Sequence, residues 1–145
     1  MDNDKLTNIV IKLIISTVIF IMIFSISFII FKHSTSENKI YLSESNIVID
    51  YYGFNNSIEL EQIIDINLIE KLPEGGKRGA GVEDNKHIAG DANFNGIGYC
   101  KAYIIKNSNA FLLITTNNQK FLINDPDSSV TIEIYDFISS KLDLR

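Results

Sequence analysis

The chain contains few of the residues that most enzymes and metal sites use. Its 145 residues include one cysteine, two histidines, two prolines and no tryptophan. The single Cys100 excludes an internal disulfide, and His33 and His87 have no Cys or carboxylate neighbours at ligand spacing. We therefore expect no catalytic set, no cofactor and no metal. Cys100 is interpreted as a small buried strand residue rather than a nucleophile.

The charge balance is acidic and narrows the classes of partner. Thirteen Lys and Arg residues stand against 18 Asp and Glu residues, which gives a formal net charge of −5. Binding to nucleic acid requires clustered cations that neutralise phosphates. The composition therefore argues against a nucleic-acid partner.

One long apolar run dominates the N-terminal part of the sequence. No charged residue interrupts Leu13 to Phe31, and a run of this length is typical of a membrane-spanning helix. We predict an N-terminal tail over 1–8, a transmembrane helix over 9–31 and a linker over 32–38. The expected location is the cell membrane, single-pass, with the lipid bilayer holding the anchor. The lysines before and after the run do not decide the orientation.

The rest of the chain, 39–145, is predicted to be one mainly β domain. Alternating apolar and polar residues predict strands, separated by a turn over 53–56 and by a long glycine-rich excursion from Pro73 to Gly98. The predicted strands cover Lys39–Leu42, Asn46–Tyr51, Ser57–Gln62, Ile63–Leu72, Tyr99–Lys106, Ala110–Thr116 and Lys120–Asn124, with a further short strand near Ala89–Phe94. Asp127, Ser128 or Ser129 then caps a C-terminal helix with apolar residues at helical spacing.

The order of these landmarks resembles a known family. They are Leu72-Pro73, Arg78-Gly79-Ala80-Gly81, Gly90-Asp91-Ala92-Asn93-Phe94, Gly96-Ile97-Gly98, the segments YIIKN, FLLITT and FLIND, and Tyr135 in the final helix. Their order and spacing are similar to those of a bacterial pleckstrin-homology-like (PH-like) domain family found in small membrane-anchored proteins. The resemblance implies a bent antiparallel sheet or barrel of about seven strands, capped by a C-terminal helix. It implies no reaction.

The glycine-rich loop is the strongest candidate site. Gly75, Gly76, Lys77, Arg78, Gly79 and Gly81 could form a loop that binds an anion or contacts a partner. Glycines let backbone N–H groups approach an anion, and the two cations add charge. The loop lacks the order of a P-loop, and a purely structural role for its glycines is the competing interpretation.

The other polar and aromatic clusters favour structural roles. Glu59, Glu61 and Asp65 resemble a solvated strand face more than an acid/base or calcium site. Glu83-Asp84 and Asp125-Pro126-Asp127 are interpreted as turn and cap residues. Tyr51, Tyr52 and Phe54 are interpreted as core residues beside a turn, with an exposed contact patch as the alternative.

These observations predict a membrane-anchored, non-catalytic PH-like binding or assembly module. Its expected partner is a membrane or membrane-proximal protein, or a second copy in a homo-oligomer formed through exposed strand edges. The alternative is recognition of a lipid headgroup or another anion by the loop that carries Lys77 and Arg78.

Overall fold

The computed structural model describes residues 12–25, 38–51, 53–74 and 79–143. The chain divides into two compact units, Met1–Ser36 and Glu37–Arg145. Within the described residues the protein is mainly β, with two helices.

The first unit contains helix α1, whose described residues are 12–25. None of the helices in the described part of the chain combines the length and the apolar character that crossing a bilayer requires. The prediction of a transmembrane helix over 9–31, with its single-pass membrane location, is therefore wrong. Residues 9–11 and 26–31 of that prediction lie outside the described residues.

The second unit contains nine strands and helix α2 within the described residues. The strands are β1 (Lys39–Leu42), β2 (Asn46–Tyr51), β3 (Phe54–Glu59), β4 (Ile63–Ile69), β5 (Gly81–Glu83), β6 (His87–Phe94), β7 (Gly98–Ile105), β8 (Phe111–Thr116) and β9 (Lys120–Ile123). A short 3-10 turn, Leu60–Gln62, joins β3 to β4, and α2 covers Ser128–Leu142.

The strands form two sheets. The small sheet has the order β1-β2-β3, and the large sheet has the order β4-β8-β9-β7-β6-β5. All pairs among the described strands are antiparallel except β7 with β9, which run parallel. The alternating apolar residues of β2, Ile47, Ile49 and Tyr51, are fully buried, as expected for a strand with one face in the core.

The core has two parts because both faces of the large sheet carry apolar residues. One cluster joins the small sheet, one face of the large sheet and α2, and it includes Ile49, Ile58, Tyr103, Ile114 and Ile134. The second cluster contains Ile88, Ala92, Phe94, Ile97, Cys100, Ala102, Ile104, Phe111 and Leu122. The pleat of β7 separates Ala102 and Ile104 from Tyr103, so the two clusters lie on opposite faces.

This architecture corrects the fold that the PH-like resemblance implied. The resemblance predicts a bent antiparallel sheet or barrel of about seven strands, whereas nine strands are present in the described residues and one pair is parallel. The physical reason is that the glycine-rich excursion contributes β5 and all of β6, and that β9 inserts between β8 and β7. The structure thus gives no evidence for a PH-like fold.

The carboxylates of Asp125, which is buried, and Asp127, which is exposed, connect the sheets to the C-terminal helix. The Asp125 carboxylate accepts hydrogen bonds from Ile40 N (3.1 Å) and Asp127 N (2.9 Å). Asp127 caps α2 by accepting from Ser129 N at 2.9 Å. These contacts confirm the predicted turn and cap roles of Asp125 and Asp127, and they join β1 to the start of α2.

Candidate functional site

The predicted glycine-rich site is only partly described. Gly75, Gly76, Lys77 and Arg78 lie outside the described residues, so their binding of an anion or a partner stays a prediction. Gly81 lies directly opposite Gly90 in the β5–β6 pair, with φ angles of +148° and +128°. A Cβ on Gly81 would lie 2.3 Å from Ala89 O, and one on Gly90 would lie 2.4 Å from Ala80 O. The close approach of β5 and β6 therefore explains why position 81 is a glycine.

The predicted acidic residues serve local contacts. Glu59 accepts a hydrogen bond from Gln62 Nε2 at 2.6 Å, and Asp65 accepts one from Asn67 Nδ2 at 2.7 Å. Glu59 and Glu61 border a depression of about 270 Å³ with Ser45 and Asn46. Among the described residues, no group of three or more His, Cys, Asp or Glu side chains could hold a metal ion.

Cys100 lies in β7 and is buried, which confirms its predicted place in a strand. Burial raises the pKa of its thiol to about 11, and the positive charge of Lys120 opposes this effect only in part. At neutral pH, about one thiol in ten thousand would be ionised at such a pKa, and only the thiolate is a good nucleophile. The chemistry of Cys100 therefore favours a packing role.

The aromatic residues near the β2–β3 turn pack against the large sheet. The ring of Tyr51 lies edge-on to those of Tyr103 and His87, each at 6.3 Å between centroids. Phe54 lies 6.4 Å from Tyr103 and remains 37% exposed. The core role predicted for Tyr51 is confirmed, Phe54 is a partly exposed boundary residue, and Tyr52 lies outside the described residues.

The outer edge of β3 is open. In an antiparallel pair, residues alternate between those that bond to the neighbouring strand and those whose backbone faces away. The bond from Leu60 N to Ser45 O at 2.9 Å fixes this alternation, so Asn55 and Ser57 direct their N–H and C=O groups away from β2. Both residues are exposed. Within the described part of the chain, no hydrogen bond reaches these backbone groups from that side.

The large sheet continues beyond this open edge. Tyr103 lies beneath β3, where its hydroxyl accepts a hydrogen bond from the Asn56 side chain, while His87 lies beneath Tyr51 of β2. Because His87 pairs with Ile105, increasing residue number along β7 leads under β2. Decreasing residue number leads out past β3, to Lys101 and Tyr99 on the same face as Tyr103.

We call Asp91, Tyr99 and Lys101 the exposed platform. Tyr99 is 78% exposed, and Lys101 Nζ lies 3.6 Å from Asp91 Oδ1 across the β6–β7 pair. An open depression of about 240 Å³ lies here, bordered by the platform with Gly79, Cys100 and Gln119. Burial, and secondly the charge of Asp91, raise the pKa of Tyr103.

Local sequence patterns do not reveal this arrangement. The pattern predicts a turn over 53–56, whereas within that range only Gly53, with φ of +76°, takes a turn conformation and β3 begins at Phe54. The apolar Phe54 and Ile58 lie an even number of residues apart, which is the signal for an earlier start of the strand. The uncovered position of Tyr99 depends on how two sheets overlap, which no local pattern encodes.

Comparison of the chain with protein-family models, with curated proteins and with solved structures finds no match. The membership of a bacterial PH-like family therefore stays a prediction from the quoted landmarks. A fold alone does not fix a function, so the function is inferred from the residues of the site.

Proposed function

We propose that the protein is a non-catalytic binding module that contacts another protein through the open edge of β3. The observation that carries this proposal is the pair of exposed residues Asn55 and Ser57, whose backbone groups face away from β2. Unpaired backbone N–H and C=O groups on a strand edge form a ready template for a further strand.

The other strand edges of the domain are less accessible. The outward N–H of Ile40 in β1 is bonded to the Asp125 carboxylate. Strand β5 has only three residues, and α2 packs against β4, where Ile66 is buried. Short strands, inward-pointing carboxylates and covering helices are common protections of sheet edges. Edge β3 has none of these among its described neighbours.

The chemistry of the described residues supports a role in binding another protein rather than in catalysis. The buried thiol of Cys100 has a raised pKa, and the ring of His87 is held 3.1 Å from Asp84. Asp91 and Lys101, the charged members of the exposed platform, neutralise each other. A surface of this kind offers hydrogen-bonding edges and apolar area, which are the elements of strand-based recognition.

Site-specific photocrosslinking tests the proposal. The photoreactive residue benzoyl-phenylalanine replaces Asn55 in the full chain, and Glu133, an exposed residue of α2, serves as the matched control position. We expect an adduct in intact cells from position 55, lost when Ser57→Pro is added, and no equal adduct from position 133. An adduct of twice the mass of the chain would identify a second copy as the partner. Equal yields from both positions, or turnover of a substrate by the purified chain, would overturn the proposal.

A further inference from the structure

The small sheet has room for one more strand beside β3. Its three strands cover only part of the six-stranded sheet, and the exposed platform is the part of that face that continues past β3. A strand added there would pair with the backbone of Asn55 and Ser57 and would lie above Tyr99 and Lys101. A strand in this position would therefore pair with β3 through its main chain and would contact the large sheet through every second side chain.

The surface on the inner side of this place is partly apolar. Phe54 is 37% exposed and Tyr99 is 78% exposed, and the depression beneath has a volume of about 240 Å³. Side chains of an added strand that point toward the large sheet would meet these two rings. Apolar residues suit those positions because they remove exposed aromatic area from water.

A carboxylate lies on the outer side of the same place. Glu59 is exposed, and its side chain lies on the same face of β3 as those of Asn55 and Ser57. Among the described residues, no Lys or Arg lies within ion-pair distance of Glu59. Side chains of an added strand that point outward would therefore gain from carrying positive charge.

The geometry disfavours a second copy of the chain as the occupant. Two copies joined through their β3 edges in one continuous sheet would both place their large sheets on the same side of it. Each exposed platform would then extend into the space that the other occupies. A single extended segment from another protein meets no such obstacle.

We infer that the β3 edge and the exposed platform form a binding site for an extended peptide segment with alternating apolar and basic residues, which adds a fourth strand to the small sheet. This inference rests on the proposed function and specifies its partner. If the peptide pairs antiparallel to β3, the backbone groups of its basic residues would pair with those of Asn55 and Ser57. Its apolar side chains would contact Phe54 and Tyr99.

Peptides with identical side chains test the main-chain pairing. The probe is the capped heptapeptide Val-Lys-Val-Lys-Val-Lys-Val, and its binding to the full chain is measured by fluorescence anisotropy. One derivative is N-methylated at the lysines and the other at the second and third valines. In an added strand, only alternate N–H groups face β3. One derivative should therefore bind about tenfold or more weakly than the parent peptide, and the other should bind nearly as tightly as the parent. Equal binding of both derivatives would overturn the inference.

A matched pair of variants tests the location of the site. Ser57→Pro removes an N–H that makes no bond to β2, and proline is tolerated at such edge positions, whereas Ser57→Ala keeps the N–H. We expect Ser57→Pro to weaken peptide binding about tenfold or more, with Ser57→Ala unchanged and far-UV circular dichroism alike for both. Equal binding by the two variants would place the peptide elsewhere. Dimerisation of the chain through β3 would overturn the inference, because a second copy would then occupy the site.

The outcomes separate this inference from the proposed function. A crosslink at position 55 that depends on Ser57, together with no binding of the heptapeptide, would overturn the alternating peptide as partner and leave the protein-binding function standing. Absence of the crosslink would overturn both.

Discussion

The side-chain amide of Asn56 in β3 donates a hydrogen bond to the hydroxyl of Tyr103 in β7. This bond joins the small sheet to the large sheet at the boundary of the exposed platform. Tyr103 is 2% exposed, and burial is the main cause of its raised pKa, with the charge of Asp91 as the second cause. A buried phenol with a raised pKa thus links β3 to the large sheet.

Replacing Tyr103 with Phe should change the alkaline stability of the domain. The pKa of Tyr103 in the folded protein lies above its ordinary value of 10.0. Its contribution to stability is therefore fully present below pH 10 and is lost as the pH rises through the folded pKa. Tyr103→Phe should cost about 1 kcal/mol at pH 7 through the lost hydrogen bond, and this difference should shrink above pH 10. Urea unfolding between pH 7 and pH 11 measures it.

The exposed Tyr99 provides the control for this experiment. Tyr99→Phe removes a phenol from the same strand without removing the bond to Asn56. Its free energy of unfolding at pH 7 should stay close to that of the unmodified chain. If the difference in free energy of unfolding between Tyr103→Phe and the unmodified chain were the same at pH 7 and pH 11, Tyr103 would not titrate differently in the folded state.

Replacing Gly90 with Ala should destabilise the β5–β6 pair. An added Cβ would approach Gly81 Cα to 2.6 Å and Ala80 O to 2.4 Å, and both are backbone atoms that cannot move independently. The φ angle of +128° adds conformational strain. We expect a loss of about 2 kcal/mol or more in the free energy of unfolding, measured by urea denaturation.

Gly96→Ala separates the two causes of that loss. Gly96 also has a positive φ angle, +82°, but no atom lies within 4 Å of the position of an added Cβ. It should lose only the strain contribution, about 1 kcal/mol. Equal losses at the two positions would show that the close approach of β5 to β6 contributes nothing.

Local patterns predicted some elements well. Strands β1 and β2 lie where the alternation of apolar residues placed them, and Asp127 caps the predicted C-terminal helix. These elements depend on side-chain period and on a capping residue a few positions away, both of which are present in the local sequence.

Non-local pairing accounts for the errors. The glycines of the excursion read as a loop, but Gly81 and Gly90 bring β5 and β6 into contact because neither carries a side chain. Next to the parallel β7–β9 pair, the buried side-chain amide of Asn124 accepts a hydrogen bond from the N–H of Ile105 and donates one to its C=O.

The two carboxylates at the start of α2 should respond differently to the same substitution. Asp125 accepts two backbone N–H groups, from Ile40 and Asp127, on its two oxygens, and it is buried. Asp125→Asn turns one acceptor into a donor that faces an N–H group, so we expect a loss of about 1–3 kcal/mol. Asp127 receives both of its bonds from Ser129 on a single oxygen, Oδ1, and Asp127→Asn can keep that acceptor. The Asp127 variant should therefore stay closer to the unmodified chain at pH 7. Thermal unfolding of the two variants at pH 7 makes the comparison, and a larger loss for Asp127→Asn than for Asp125→Asn would contradict the assignment of Asp125 as the link between β1 and α2.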